Sequence, residues 1–412
     1  MRPRFIAPAI LAAVTAIGAD WTQFRGPGGS GVSTDTGLPT TWSAKENVVW
    51  RTKLPGPGTS SPIVVGKRVY VTCYTGYGLE PGKGEMDDLM RHLVCIDRAK
   101  GEILWTKDFK PKLPESKYGP GGNESEHGYS SSTPASDGKR LYVFFGKSGV
   151  YGLDLDGKEI WHADVGTGTN GWGSSNSPVL YKDLVIFNAC IESGSLVALD
   201  KNTGKEAWRA KGIRESWNTP VLVDVPGGGT ELVLNESSAV IGFDPADGKE
   251  LWRVKGFGGY VCPSVVAHDG VVYVLRDQVL AIKAGGRGDV TDSHVLWRGK
   301  GRSTVPSPVY YDGRLYWAYG AVHCIDAATG KEVYTKNLAT GSFYASPIAA
   351  DGKIYFVSRT GSTFVVAAGP TFKEIAHNKF EDDDSRTNAS PIVDGGCLLL
   401  RTDKYLACLG KK

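Results

Sequence analysis

Much of what this 412-residue chain lacks closes off a class of chemistry. No two of its seven cysteines are adjacent and none are spaced Cys-x-x-Cys, so a dithiol redox motif and a paired-cysteine zinc site are both without a foothold. There is no glycine-rich phosphate loop and no nucleophile elbow. Charge of one sign is also missing. With 47 basic and 44 acidic residues the net charge is +3, too little for the concentrated basic face that nucleic acid binding needs. Beyond the first residues, no apolar run is long enough to cross a bilayer.

The N-terminus is the exception. Arg2 and Arg4 precede a largely apolar stretch from Phe5 to Ile17, and Gly18 and Ala19 stand before Asp20. Residues 1–19 read as a secretory signal peptide, with a membrane anchor as the other reading. No cysteine lies near the cleavage point, so a lipoprotein anchor is not supported. Removing the segment takes Arg2 and Arg4 with it and lowers the charge to +1. A periplasmic or secreted protein is expected. Cys397 with Cys408, and Cys73 with Cys95, flank hairpins and are candidates to meet, either as disulfides or as buried free thiols.

What is present in excess is glycine, 54 residues, and tryptophan, 11 residues, which suits a turn-rich all-β chain. They fall into a repeat. Prolines 62, 134, 178, 220, 263, 308, 347 and 391 each open a short apolar run, and after the first gap their spacing is 39 to 45 residues. Two insertions, near 75–92 and 110–127, account for the longer first gap. A tight turn follows, often Asp-Gly, then an alternating strand such as RLYVFF. A further strand ends in an aliphatic-Asp step, and the unit closes on a strand with an aromatic residue. Four antiparallel strands in 40–45 residues are the size of a propeller blade.

The eighth unit lacks its last strand, and the segment 46–54 has the missing pattern. One eight-bladed β-propeller over 46–412 is therefore predicted, after an N-terminal extension at 20–45, with the early strand closing the last blade. The terminal aromatics Trp50, Trp105, Trp161, Trp208, Trp252, Trp297 and Tyr334 are expected to wedge between blades.

The pattern A-x-D-x-x-T-G-K-x-x-W, written here ALDKNTGKEAW at 198–208, resembles the docking motif of pyrroloquinoline-quinone (PQQ) repeat propellers. The resemblance spans nearly all of 46–412. It implies either a quinoprotein alcohol dehydrogenase using PQQ and calcium, or a cofactor-free scaffold like the outer-membrane assembly propeller. The chain looks most like exported PQQ-binding-like repeat proteins. Against the dehydrogenase stand the length and the lack of adjacent cysteines. For it stands the segment 186–200, which resembles the calcium-binding segment and would make Glu192 a metal ligand.

Proline fits the first residue of an innermost strand, so the segments just before the prolines should line one mouth of the central channel. They carry Glu126, His127 and Tyr129, then Trp172 and Asn176, then Glu215, Trp217 and Asn218, then Tyr260, Tyr344, Arg386 and Asn388. Aromatic faces with amides suit a planar or polyhydroxylated ligand. The alternative is that these groups hold water and cap strand ends. The expected partner is a small polar ligand or an envelope protein bound by a monomer, without catalysis. No catalytic residue is assigned, and His127 is read as a surface histidine before it is read as a base.

Overall fold

The computed structural model describes residues 20–80, 83–117, 127–338 and 341–411. Glu126 and the signal-peptide segment 1–19 lie outside them. Among the described residues, eight antiparallel sheets stand in a ring, an eight-bladed β-propeller with almost no helix. The third blade shows the plan. Val179–Tyr181, Leu184–Ala189, Ser195–Asp200 and Glu206–Lys211 pair in sequence order. The ring closes as the repeat pattern predicts: Val48–Lys53 pairs antiparallel with Tyr405–Leu409, Trp50 opposite Cys408. An exposed edge strand is a template for aggregation, and closure supplies the last blade with its missing outer strand.

One blade departs from four strands. Gly288–Asp289 adds a parallel fifth strand to Glu250–Lys255. Arg287 anchors it through an ion pair with the buried Glu231 at 3.1 Å. The tripeptide Arg287-Gly288-Asp289 is thus built into a sheet edge.

The terminal aromatics wedge between blades. Trp161 donates its indole N–H to the Lys201 carbonyl of the next blade at 3.1 Å, and its ring lies on Gly204. A Cβ on Gly204 would come within 2.6 Å of that ring, and its φ of +71° also favours glycine. Trp50, Trp208 and Trp297 repeat the arrangement. Trp252 instead bonds Glu231 of its own blade. The Asp before each such turn holds it open-ended: Asp200 Oδ1 accepts the N–H groups of Asn202 and Thr203.

The residue before seven of the eight prolines, and Ser264 after Pro263 in the remaining blade, has a structural task. The N–H of Ser61 bonds Thr133 Oγ1, Thr133 bonds Ser177, Ser177 bonds Thr219, and the series runs on through Ser264, Ser307 and Ser346 to Ser390. Seven such bonds of 2.9–3.0 Å link neighbouring blades round the channel. Ser61 Oγ is buried without a partner, and next to it Arg401 bonds Ser60.

The segment 20–45 is tied into the ring. The N–H of Val64 bonds the Trp21 carbonyl, Ser136 bonds Thr22, and Ala349 bonds Gly31. These are inner-strand residues of three different blades, so the segment crosses the channel at the end away from the pre-proline loops. It then passes outward, where Leu38 and Trp42 join the core of the closing blades. All seven cysteines are free. Cys73 faces His92 across the ladder and Cys95 faces Tyr70, which puts the two thiols on opposite faces of their sheet. Cys397 and Cys408 lie on paired neighbouring strands as free thiols.

Candidate functional site

The pre-proline loops of several blades converge on one cavity of about 210 Å³ at the axis. Trp172, Trp217, Tyr260 and Tyr344 supply aromatic surface; Asn218, Asn388 and His127 supply polar groups. Belt hydroxyls of Thr219, Ser264, Ser307, Ser346 and Ser390 form its wall, and Phe24 of the crossing segment also lines it. Among the described residues lining this cavity there is no aspartate, glutamate, lysine or arginine.

The stretch Gly171-Trp-Gly-Ser-Ser-Asn176 is held from three sides. Asn170 starts it as a turn, accepting the N–H of Trp172 on Oδ1 at 2.9 Å. From the next blade, the Trp217 indole donates to the Gly173 carbonyl at 2.8 Å, and Ser175 donates back to the Trp217 carbonyl at 2.9 Å. From the preceding blade, His127 Nε2 bonds the Trp172 carbonyl. A carbonyl only accepts, so Nε2 carries a proton, while Nδ1 shares a hydrogen bond of 2.6 Å with the Ser131 hydroxyl. His127 is therefore a half-buried strut between two loops. Trp172 and Tyr260 lie near-parallel, centroids 6.1 Å apart at 25°, and Tyr260 is 52 % exposed at the mouth.

Asn218 is pinned by its amide nitrogen, which donates to Ser216 Oγ at 3.0 Å and to the Asn235 carbonyl. Its Oδ1 is buried and has no partner. A buried acceptor left unmade costs about 1–3 kcal/mol, so this atom points to a donor supplied from outside the chain.

Tyr129 lines a smaller adjoining space of about 30 Å³ together with Trp172, Arg91 and Glu115, the last two ion-paired at 2.6 Å. Asn176, Glu215 and Arg386 are not among the residues lining either space. Asn176 is fully buried with both amide atoms unpartnered. Glu215 and Arg386 are exposed.

Glu192 sits on the short helical turn Cys190–Ser193 and is buried. Its Oε1 accepts the Ser174 hydroxyl and its Oε2 is unpartnered. Burial raises its pKa to about 7. Calcium takes six to eight oxygens, several of them ordinarily from ionised carboxylates. Here one oxygen is taken by a hydroxyl, and no group of three His, Cys, Asp or Glu side chains that could hold a metal stands among the described residues. The donor set does not fit calcium at Glu192. Nor does the uncharged cavity wall offer a cation to the carboxylates of a quinone such as PQQ.

Sequence reasoning missed the belt and the floor. The belt is written as Ser or Thr before seven of the eight prolines, with Cys262-Pro263-Ser264 as the exception. Phe24 carries no local signal.

A family model described as outer membrane protein assembly factor BamB matches residues 86–216, 192–310 and 287–407. Among solved structures, BamB from Moraxella catarrhalis aligns at a TM-score of 0.62 with 11% identity, over 88% of this chain and 99% of that one. A quinohemoprotein alcohol dehydrogenase from Comamonas testosteroni aligns at 0.66 with 12% identity, over 95% and 81%. The computationally designed Ika8 protein aligns at 0.59 with 12% identity, over 89% and 100%. At such identities the likeness is one of fold. No curated protein matches.

Proposed function

Because this chain belongs to the PQQ-repeat family described as outer membrane protein assembly factor BamB, we propose that it is an exported, non-catalytic binding module whose central funnel takes a small, uncharged, flat or polyhydroxylated ligand. The observation that carries this reading is the cavity wall: aromatic faces, belt hydroxyls and the unpartnered Asn218 Oδ1, with no charged carboxylate or cation among the described lining residues. Such a wall stacks on rings or on the apolar face of a sugar and meets hydroxyl groups with hydroxyls and amides. The loops that hold Trp172 would set its orientation, and a fixed aromatic surface binds at a lower entropic cost than a mobile one.

A catalytic role lacks comparable support. His127 has both ring nitrogens engaged, and Glu192 lies away from the cavity wall with its carboxyl on Ser174. Export rests on the composition of residues 1–19. Among the described residues no helix is long and apolar enough to cross a membrane.

The test is titration of the chain with a panel of neutral mono- and oligosaccharides and planar heterocycles, read by tryptophan fluorescence and calorimetry. Saturable binding is expected, weakened about tenfold or more by Trp172→Ala. Saturable uptake of PQQ with calcium, accompanied by dye-linked alcohol oxidation, would refute the reading. Retention of an envelope protein by both the wild type and Trp172→Ala, with no small ligand bound, would replace it by a scaffold role.

A further inference from the structure

A second cavity, also of about 210 Å³, lies farther along the inner strands, against the crossing segment. Arg25 lines it, with Gln23, Thr219 and Ser264 as its neutral polar neighbours and Val179, Leu180 and Leu222 as part of its apolar wall. Phe24 lines both this cavity and the funnel cavity. No acidic residue lines it among the described residues.

Arg25 is 2 % exposed. Its Nη2 donates to the carbonyls of Pro308 and Ser30, at 2.5 and 3.1 Å. Its Nε and Nη1 are buried with no partner, and no carboxylate pairs with it among the described residues. Three N–H bonds of a charged group are thus without acceptors. A buried guanidinium left so is among the most unfavourable things a fold can contain, and an anion relieves it.

The surrounding loop is built to keep the guanidinium there. Residues 25–31 read Arg-Gly-Pro-Gly-Gly-Ser-Gly, and Arg25, Gly26, Gly28, Gly29 and Gly31 all have φ between +61° and +73°. A Cβ on Gly31 would stand 2.8 Å from Nη2, so glycine clears the space the guanidinium fills. The Gly31 N–H closes the loop onto the Arg25 carbonyl at 2.8 Å. Burial without a counter-charge also lowers the Arg25 pKa to about 9.

We propose that a small oxyanion, phosphate-like or carboxylate, binds against Arg25 in this lower cavity. The anion would complete the buried guanidinium and brace the crossing segment against the inner strands, independently of any ligand in the funnel.

The experiment compares the full chain in phosphate, sulfate and acetate with chloride at matched ionic strength, by thermal melting and calorimetry. A saturable rise in melting temperature over chloride is expected. Response to phosphate and sulfate alone assigns a tetrahedral anion, and response to acetate alone a carboxylate. Arg25→Lys should weaken binding about tenfold or more and Arg25→Gln should abolish it, while Trp172→Ala leaves it unchanged. Equal behaviour of the wild type in all four anions would overturn the proposal, as would undiminished binding by folded Arg25→Gln. If Arg25→Gln does not fold, a crystal structure in the responding anion, with selenate standing in for phosphate or sulfate, decides: anion density within hydrogen-bond reach of Arg25 Nε or Nη1 supports the site, and its absence overturns it.

Discussion

At the scale of single residues, the informative groups are those the fold has removed from water without completing. Glu192 is one. Its ordinary pKa of 4.5 rises to about 7 because burial disfavours the charged form, outweighing the Ser174 hydroxyl that steadies it. Between these values the unfolded chain has released a proton that the folded chain retains. Stability from this group is therefore full below about pH 4.5 and is lost as pH rises towards 7. Glu192→Gln keeps an oxygen for Ser174 and removes the titration. Relative to wild type, this variant should gain roughly 3 kcal/mol between pH 5 and pH 8, read by urea unfolding across that range. Parallel pH curves for the two proteins would show instead that Glu192 is ionised in the folded state, as a metal ligand would be.

At the scale of elements, the blade is a unit that works only beside a copy of itself. Its outer tryptophan lies on the next blade's glycine turn, and its inner strand donates an N–H to the next blade's hydroxyl. The belt explains why Ser or Thr precedes the proline. The proline lacks an N–H, while the residue before it has one buried at the axis with no ladder partner. Ser307 receives the Ser264 N–H at 2.9 Å. Ser307→Ala should cost about 1–3 kcal/mol in chemical denaturation by orphaning that donor. Ser307→Thr should restore most of it, since Thr133 and Thr219 already serve in the same role. Equal loss in both variants would point to crowding at the axis in place of a missing acceptor.

At the scale of the whole molecule, the N-terminal segment does two jobs that the ring cannot do alone. Val48–Lys53 closes the last blade, and residues 21–33 cross the channel so that Phe24 lines the funnel cavity on one side and the lower cavity on the other. Trp21, Leu38 and Trp42 are buried in the core of the closing blades. Deleting residues 20–33 should lower the melting temperature by several degrees, since losing a buried Trp alone costs about 3–5 kcal/mol. It should also abolish funnel ligand binding by removing the floor. A truncated chain that binds the funnel ligand at full strength would show that Phe24 contributes nothing there.

Legibility in the sequence followed the range of the interaction. Periodic prolines, Asp-Gly turns and Thr-Gly-Lys-x-x-Trp segments are local and repeated, so they determined the blade, the count of eight and the strand that closes the ring. They also brought Trp172, Trp217, Asn218, Tyr260, Tyr344 and Asn388 to one funnel, because every unit begins at the same place on its blade. The tertiary structure alone decided what stands opposite each side chain. Asn176 turns inward, Glu215 and Arg386 face solvent, and Arg25 comes under Pro308, 283 residues away in sequence. Strand period and turn chemistry are properties of neighbouring residues. A missing counter-charge or an unpartnered amide is a property of the space around a residue, and that space exists only once the ring has closed.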